Sequence, residues 1–178
     1  MKRILFFGFA FLMFFLASLV FVKFVKQLNI KNRIVEQMVS IPQFEFLTLD
    51  STLFTNDSLY PWETVIFIHF NTNCDYCIYE TEQLVLFAEQ IKSARVLLIS
   101  EEDLCQIKKF REELNLERFP FIELLKDPGN LYYNYFGTAM MPSIILYSKK
   151  GFLIKEFKGE TKIETLLKYI NQDNPPFS

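Results

Sequence analysis

The feature that most restricts this chain is the stretch Val65–Glu80, VIFIHFNTNCDYCIYE. Val65 to Phe70 is six residues long and apolar or aromatic apart from His69, the pattern of a buried central strand. Asn71-Thr72-Asn73 breaks the run, and Asn73 is a good N-cap for a helix starting at Cys74. Cys74 and Cys77 then stand three apart in the first helical turn, on one face and close enough to bridge. Free backbone N–H groups and the positive end of the helix dipole surround the first sulfur. Both favour the thiolate, the form that attacks disulfides. A strand that delivers a cysteine pair to a helix N-terminus is a redox arrangement.

The bulk numbers leave room for little else. A chain of 178 residues holds one ordinary domain plus an appendage. A net charge of −2 with no basic patch gives nucleic acid no electrostatic footprint to bind. Three cysteines are too few for a disulfide-stapled scaffold, and a close pair plus a singleton points to chemistry.

Ile4 to Val22 is nineteen residues without a charge, long enough to cross a bilayer core of roughly 30 Å. Lys2 and Arg3 precede it, and no small-x-small cleavage site or lipoprotein cysteine follows it. Residues 1–26 therefore read as an uncleaved transmembrane anchor, with a cleaved signal peptide as the alternative. Lys23, Lys26, Lys31 and Arg33 lie beyond the span, so basic residues flank both sides and charge does not orient it. Residues 27–40 read as a helical stalk ended by Ile41-Pro42.

Further along, 44–49 and 52–55 carry a hairpin signal. The helix opened by Cys74 is expected to run to about Lys92, with Leu84, Phe87, Ala88 and Ile91 as its apolar stripe. Arg95–Ser100 is a second strand, so strand, helix and strand form a parallel βαβ unit. A helix over 102–114, a strand over 121–125 and a short aromatic helix over 131–136 closed by Gly137 follow. Pro142 introduces the strand 143–147, the Lys149-Lys150-Gly151 turn returns it as 152–157, and a helix over 161–171 closes the domain. Residues 173–178 read as a tail.

This order, with CxxC opening the first helix and a proline just before the hairpin, resembles the thioredoxin fold over 41–172. Within it the chain looks most like the membrane-tethered TlpA/ResA-type thiol–disulfide oxidoreductases of bacteria and their peroxiredoxin-like relatives. Ile41-Pro42-Gln43-Phe44, Cys74-Asp75-Tyr76-Cys77, Glu80 and Met141-Pro142 carry the match. Asn73 departs from it, because the family usually has Trp immediately before the first cysteine. The resemblance implies an α/β thioredoxin fold: a mixed central sheet flanked by helices, with an N-terminal β-hairpin, behind one transmembrane helix. It places the domain on the extracytoplasmic side. It implies no cofactor beyond the redox-active Cys74–Cys77 pair; the partners would be a disulfide-containing protein and an upstream thiol donor.

The roles follow from that likeness. Cys74 attacks, Cys77 resolves the mixed disulfide, and Glu80 accepts the buried thiol's proton. A cis bond at Pro142 keeps Met141's backbone open to an extended substrate. Asn73, Asp75 and Tyr76 line the approach to it. Asp75, a negative charge beside Cys74, disfavours the thiolate and tilts the pair toward a reductant. Duller readings stand beside these: a surface Glu80, a trans loop proline, a core His69, and Cys105 as an unpaired thiol on a helix flank. A Cys₃His zinc set from Cys74, Cys77, Cys105 and His69 lacks paired ligand spacing. A peroxidase would need a Thr three residues before its cysteine, where this chain has Asn71. A non-catalytic binding domain is the remaining alternative.

Overall fold

In the computed structural model the described residues are 18–26, 38–59 and 64–170. The chain divides into two compact units, Met1–Glu36 and Gln37–Ser178. Of the first, residues 18–26 are described and form a helix, α1. No helix among the described residues is long and apolar enough to cross a membrane, and most of the span expected at 4–22 lies outside them.

The second unit is built on a seven-stranded sheet: β1 Glu45–Thr48, β2 Leu53–Thr55, β3 Thr64–His69, β4 Ala94–Ser100, β5 Ile122–Lys126, β6 Ser143–Tyr147 and β7 Leu153–Lys158. Their spatial order is β2-β1-β5-β4-β3-β6-β7. β3, β4 and β5 are parallel; β6, β7, β1 and β2 join antiparallel. Parallel neighbours require crossovers, supplied by α2 (Asp75–Leu86), α3 (Ala88–Ile91) and α4 (Leu104–Glu113). α5 (Tyr132–Phe136) and α6 (Ile163–Ile170) complete the unit.

Every residue of β3 is buried, because its neighbours flank it on both sides and side chains cover both faces. On one face Ile66, Ile68 and Phe70 pack with Leu84, Ile91, Phe110 and Leu166 from the helices. Phe67 points the other way, into an aromatic cluster with Phe44, Phe136 and Tyr147 at ring-centre distances of 4.9–5.8 Å. Phe46 and Phe54 extend that cluster by stacking on Phe44.

Two sequence expectations shift. The helix expected to run from Cys74 to Lys92 is interrupted at Phe87, whose φ of −104° and ψ of 22° separate α2 from α3. The stalk expected over 27–40 gives up its last residues to the domain. Met38 is buried, and Ser40 forms an antiparallel bridge with Phe152.

Candidate functional site

The parallel strands β3 and β4 end on the same side of the sheet, where loops of α/β structures gather functional groups. The loop Asn71–Asn73 leaves β3 there. Asn71 Oδ1 accepts from the Asn73 backbone N–H at 2.9 Å, and the Asn71 carbonyl accepts from Cys74 N–H at 3.2 Å. The N-cap is Cys74 itself, not Asn73; the helix begins one residue later than its sequence signal, at Asp75. The reason is visible in Asn73's side chain, whose amide donates at 3.4 Å to Glu102 instead of turning back on the helix.

As cap, Cys74 offers sulfur where a serine would offer oxygen. Its Sγ accepts from the Cys77 backbone N–H at 3.4 Å, and its carbonyl accepts from the Cys77 and Ile78 N–H groups at 2.9 and 3.0 Å. The first sulfur thus sits in the donor field of the helix start and is half-buried. Cys77, one turn inside, is buried. Burial above all, then the Cys74 sulfur and the Glu80 charge, push the Cys77 thiol up to about 12, against a lowering contact from the Asn71 backbone. Both thiols are free, and one of them is open to attack a partner.

Glu80 is buried at 1% exposure. Thr161, 81 residues on, donates its backbone N–H to Oε2 at 3.0 Å, while Oε1 has no hydrogen-bond partner among the described residues. Burial chiefly, with the Glu160 charge, raises its carboxyl to about 7; the Thr161 N–H works the other way. A solvated helix carboxylate is therefore excluded: a buried carboxyl stands one turn beyond the buried thiol.

The Met141–Pro142 peptide is cis. β6 starts at Ser143, the register partner of His69 at the end of β3, so Pro142 is brought to the same end of the sheet as Cys74. Met141 is half-buried, while Asn73, Asp75, Tyr76 and Met140 are exposed around the site.

Sequence reasoning missed Glu102. Its carboxylate accepts from Thr72 N at 2.6 Å, Thr72 Oγ1 at 2.8 Å, Ser100 Oγ at 3.1 Å and Asn73 Nδ2 at 3.4 Å. Its carbonyl in turn accepts from Lys126 Nζ at 2.7 Å. One side chain from the end of β4 thereby ties down the loop that presents Cys74. The available signal was an acidic residue directly after a parallel strand.

His69 is a core residue, stacked on Tyr132 at 4.2 Å with Nε2 3.6 Å from Glu101. Burial lowers it to about 4 against the raising charge of Asp127, so at neutral pH the Glu101 contact is not an ion pair. A backbone contact with Met140 works in the same raising direction as Asp127. Cys105 is exposed on α4. No three His, Cys, Asp or Glu side chains among the described residues group to hold a metal ion.

No protein-family model matches the chain. No curated protein matches it either. Solved structures do, and they define the class: the chain has the thioredoxin fold. A secreted Mycobacterium tuberculosis disulfide oxidoreductase homologous to E. coli DsbE aligns with a TM-score of 0.60 at 19% identity, over 72% of this chain and 94% of that one. Peroxidoxin BcpB from the same organism aligns at 0.62 and 16% identity, over 74% and 93%. The pneumococcal exposed lipoprotein thioredoxin of Streptococcus pneumoniae aligns at 0.58 and 17%, over 72% and 97%. Disulfide oxidoreductases and thioredoxins thus stand among the structures with this fold, with peroxiredoxin-like proteins beside them.

Proposed function

We propose that the chain is a membrane-tethered thiol–disulfide oxidoreductase that reduces disulfides in extracytoplasmic proteins. The observation that carries this is the pairing of a half-buried Cys74 at the helix cap with a buried Cys77 and a buried Glu80 behind it. The Cys74 thiolate attacks one sulfur of a partner disulfide; a Cys74–partner disulfide forms, and the other partner sulfur leaves and takes up a proton. Cys77 then gives its proton to Glu80 and attacks Cys74. The Cys74–Cys77 bond forms, and the second partner sulfur leaves and takes up the proton held by Glu80. Two electrons pass to the partner, one of its two protons comes from Cys77 by way of Glu80 and the other from solvent, and an upstream thiol donor resets the pair.

Glu80 suits this role, since at about 7 its carboxyl is part ionised at neutral pH. Once Cys74 is in the mixed disulfide, its sulfur no longer holds the Cys77 proton in place, which removes one cause of the thiol's raised value. Met141, Pro142, Asn73, Asp75 and Tyr76 form the docking surface for the extended partner. The tether rests on the apolar run Ile4–Val22 and on the exposed apolar side chains of α1, among them Val20, Phe21 and Phe24.

The test is insulin-type disulfide reduction with a dithiol donor. Wild type turns over, Cys74→Ser does not, and Cys77→Ser stops at a stable mixed disulfide. A Cys74–Cys77 potential at or below about −270 mV, near that of thioredoxin, supports the reducing direction. The peroxidase reading is favoured only by neighbours such as BcpB. The Thr72 hydroxyl is engaged with Glu102. Peroxide consumption by Cys77→Ser in a single turnover would revive that reading.

A further inference from the structure

We propose that a cavity between α4 and the outer edge of β5 binds a small apolar amino acid, free in solution. The inference goes beyond the oxidoreductase reading and does not rest on it. Strand register explains why the cavity exists. β1 pairs with β5 only at Leu47–Lys126 and Thr48–Leu125. The chain then doubles back, with Ser51 at a φ of 62° and the Thr48 N–H donating to the Thr52 carbonyl at 2.9 Å. Among the described residues no strand therefore covers that edge of β5 at Ile122–Leu124.

From the other side, α4 stops at Glu113, and Asn115, at a φ of 51°, turns the chain through Leu116–Arg118 toward β5. Between the two turns lies a cavity of about 230 Å³. Its floor is the buried side chains of Leu49, Leu116, Ile122 and Leu124. Lys126 pairs with Ser100, beside the Cys74 loop, whereas Ile122 pairs with Val96, so the cavity lies toward the half of β5 remote from the dithiol.

The charges around that floor define the ligand. Arg111, in the last turn of α4, lines the cavity half-buried, and its guanidinium has no ion-pair or hydrogen-bond partner among the described residues. Glu123 also lines it, but its carboxylate is held by Arg95 at 2.8 Å. Asp50 and Glu117 stand exposed at the edge. A purely apolar ligand would leave a partly desolvated guanidinium unpaired, a bare anion would face Asp50 and Glu117, and a bare cation would face Arg111. A zwitterion with an apolar body meets all three demands. Its carboxylate takes the guanidinium, its ammonium lies beside the edge carboxylates, and its side chain covers the leucines. Size sets the rest: at about 30 Å³ for each water-sized group, the cavity holds about eight non-hydrogen atoms. That is a single residue such as valine or leucine, and too little for a peptide.

The experiment is equilibrium dialysis of radiolabelled L-leucine against the full chain in detergent micelles, with empty micelles as the blank. One leucine per chain should bind saturably. Leucinamide, which lacks the carboxylate, 4-methylpentanoate, which lacks the ammonium, glycine and leucyl-leucine should each compete at least about tenfold more weakly. Arg111→Gln should weaken leucine at least about tenfold while insulin disulfide reduction continues at the wild-type rate. Asp50→Asn, at an exposed turn position, should weaken leucine and leave 4-methylpentanoate binding no weaker than in wild type. No saturable binding up to about 10 mM leucine overturns the inference. So does leucinamide competing as well as leucine, or leucine binding unchanged in Arg111→Gln. A wild-type chain that binds leucine but never reduces insulin overturns the dithiol reading alone, and the reverse result overturns only the cavity.

Discussion

Glu80 and His69 should pull the stability of this protein in opposite directions across the same pH range. Glu80 is raised by burial from 4.5 to about 7, so between those values the folded chain holds a proton that the unfolded chain has released. Stability then falls as pH rises through the window. His69 is lowered from 6.5 to about 4, so between those values the unfolded chain holds the extra proton and stability rises with pH. At 1.36 kcal/mol per pH step, each effect amounts to about 3 kcal/mol over its full window. Between about pH 4.5 and 6.5 the two slopes cancel, leaving these groups silent in wild type.

Single substitutions should uncover them. Glu80→Gln keeps an acceptor for the Thr161 N–H and removes the falling component, so its stability relative to wild type should grow by about 3 kcal/mol from pH 4.5 to 7. His69→Phe keeps a flat ring against Tyr132 and removes the rising component, so its relative stability should shrink by about the same amount from pH 4 to 6.5. Urea unfolding of wild type and both variants at half-unit pH intervals measures the difference curves directly. Curves that stay parallel to wild type from pH 4 to 7 would refute the assignment of either group as buried and shifted.

The other expectations concern packing and the site. Glu102→Ala removes the acceptor for both Thr72 donors and for Asn73, and should lower the rate of insulin disulfide reduction about tenfold, the worth of one orienting charged hydrogen bond. Asp127 is fully buried and accepts from the Gly129 and Tyr132 N–H groups; Asp127→Ala should cost about 2 kcal/mol in urea unfolding. Phe67→Ala opens the middle of the aromatic face and should cost about 4 kcal/mol, read as a lowered thermal midpoint.

What could be read without coordinates was whatever depends on neighbours in the chain. The six-residue run of β3, the cysteine pair three apart, the left-handed Gly137 closing α5 and the 143–147 strand are local patterns, each with a local physical cause. Even the N-cap slipped only one residue, because Asn73's amide found a better partner outside the helix. The likeness to a known fold supplied the cis bond before Pro142, which the residues alone do not dictate. Tertiary structure decided whatever depends on residues brought together from afar. Spacing left Glu80 equally suited to solvent or to the site; burial against Thr161, 81 residues away, settled it. Glu102 reaches the Cys74 loop from 30 residues on, and Ile41 meets Gly151 across 110 positions of sequence. Desolvation and hydrogen-bond geometry are properties of the folded surroundings, and no window of sequence contains them.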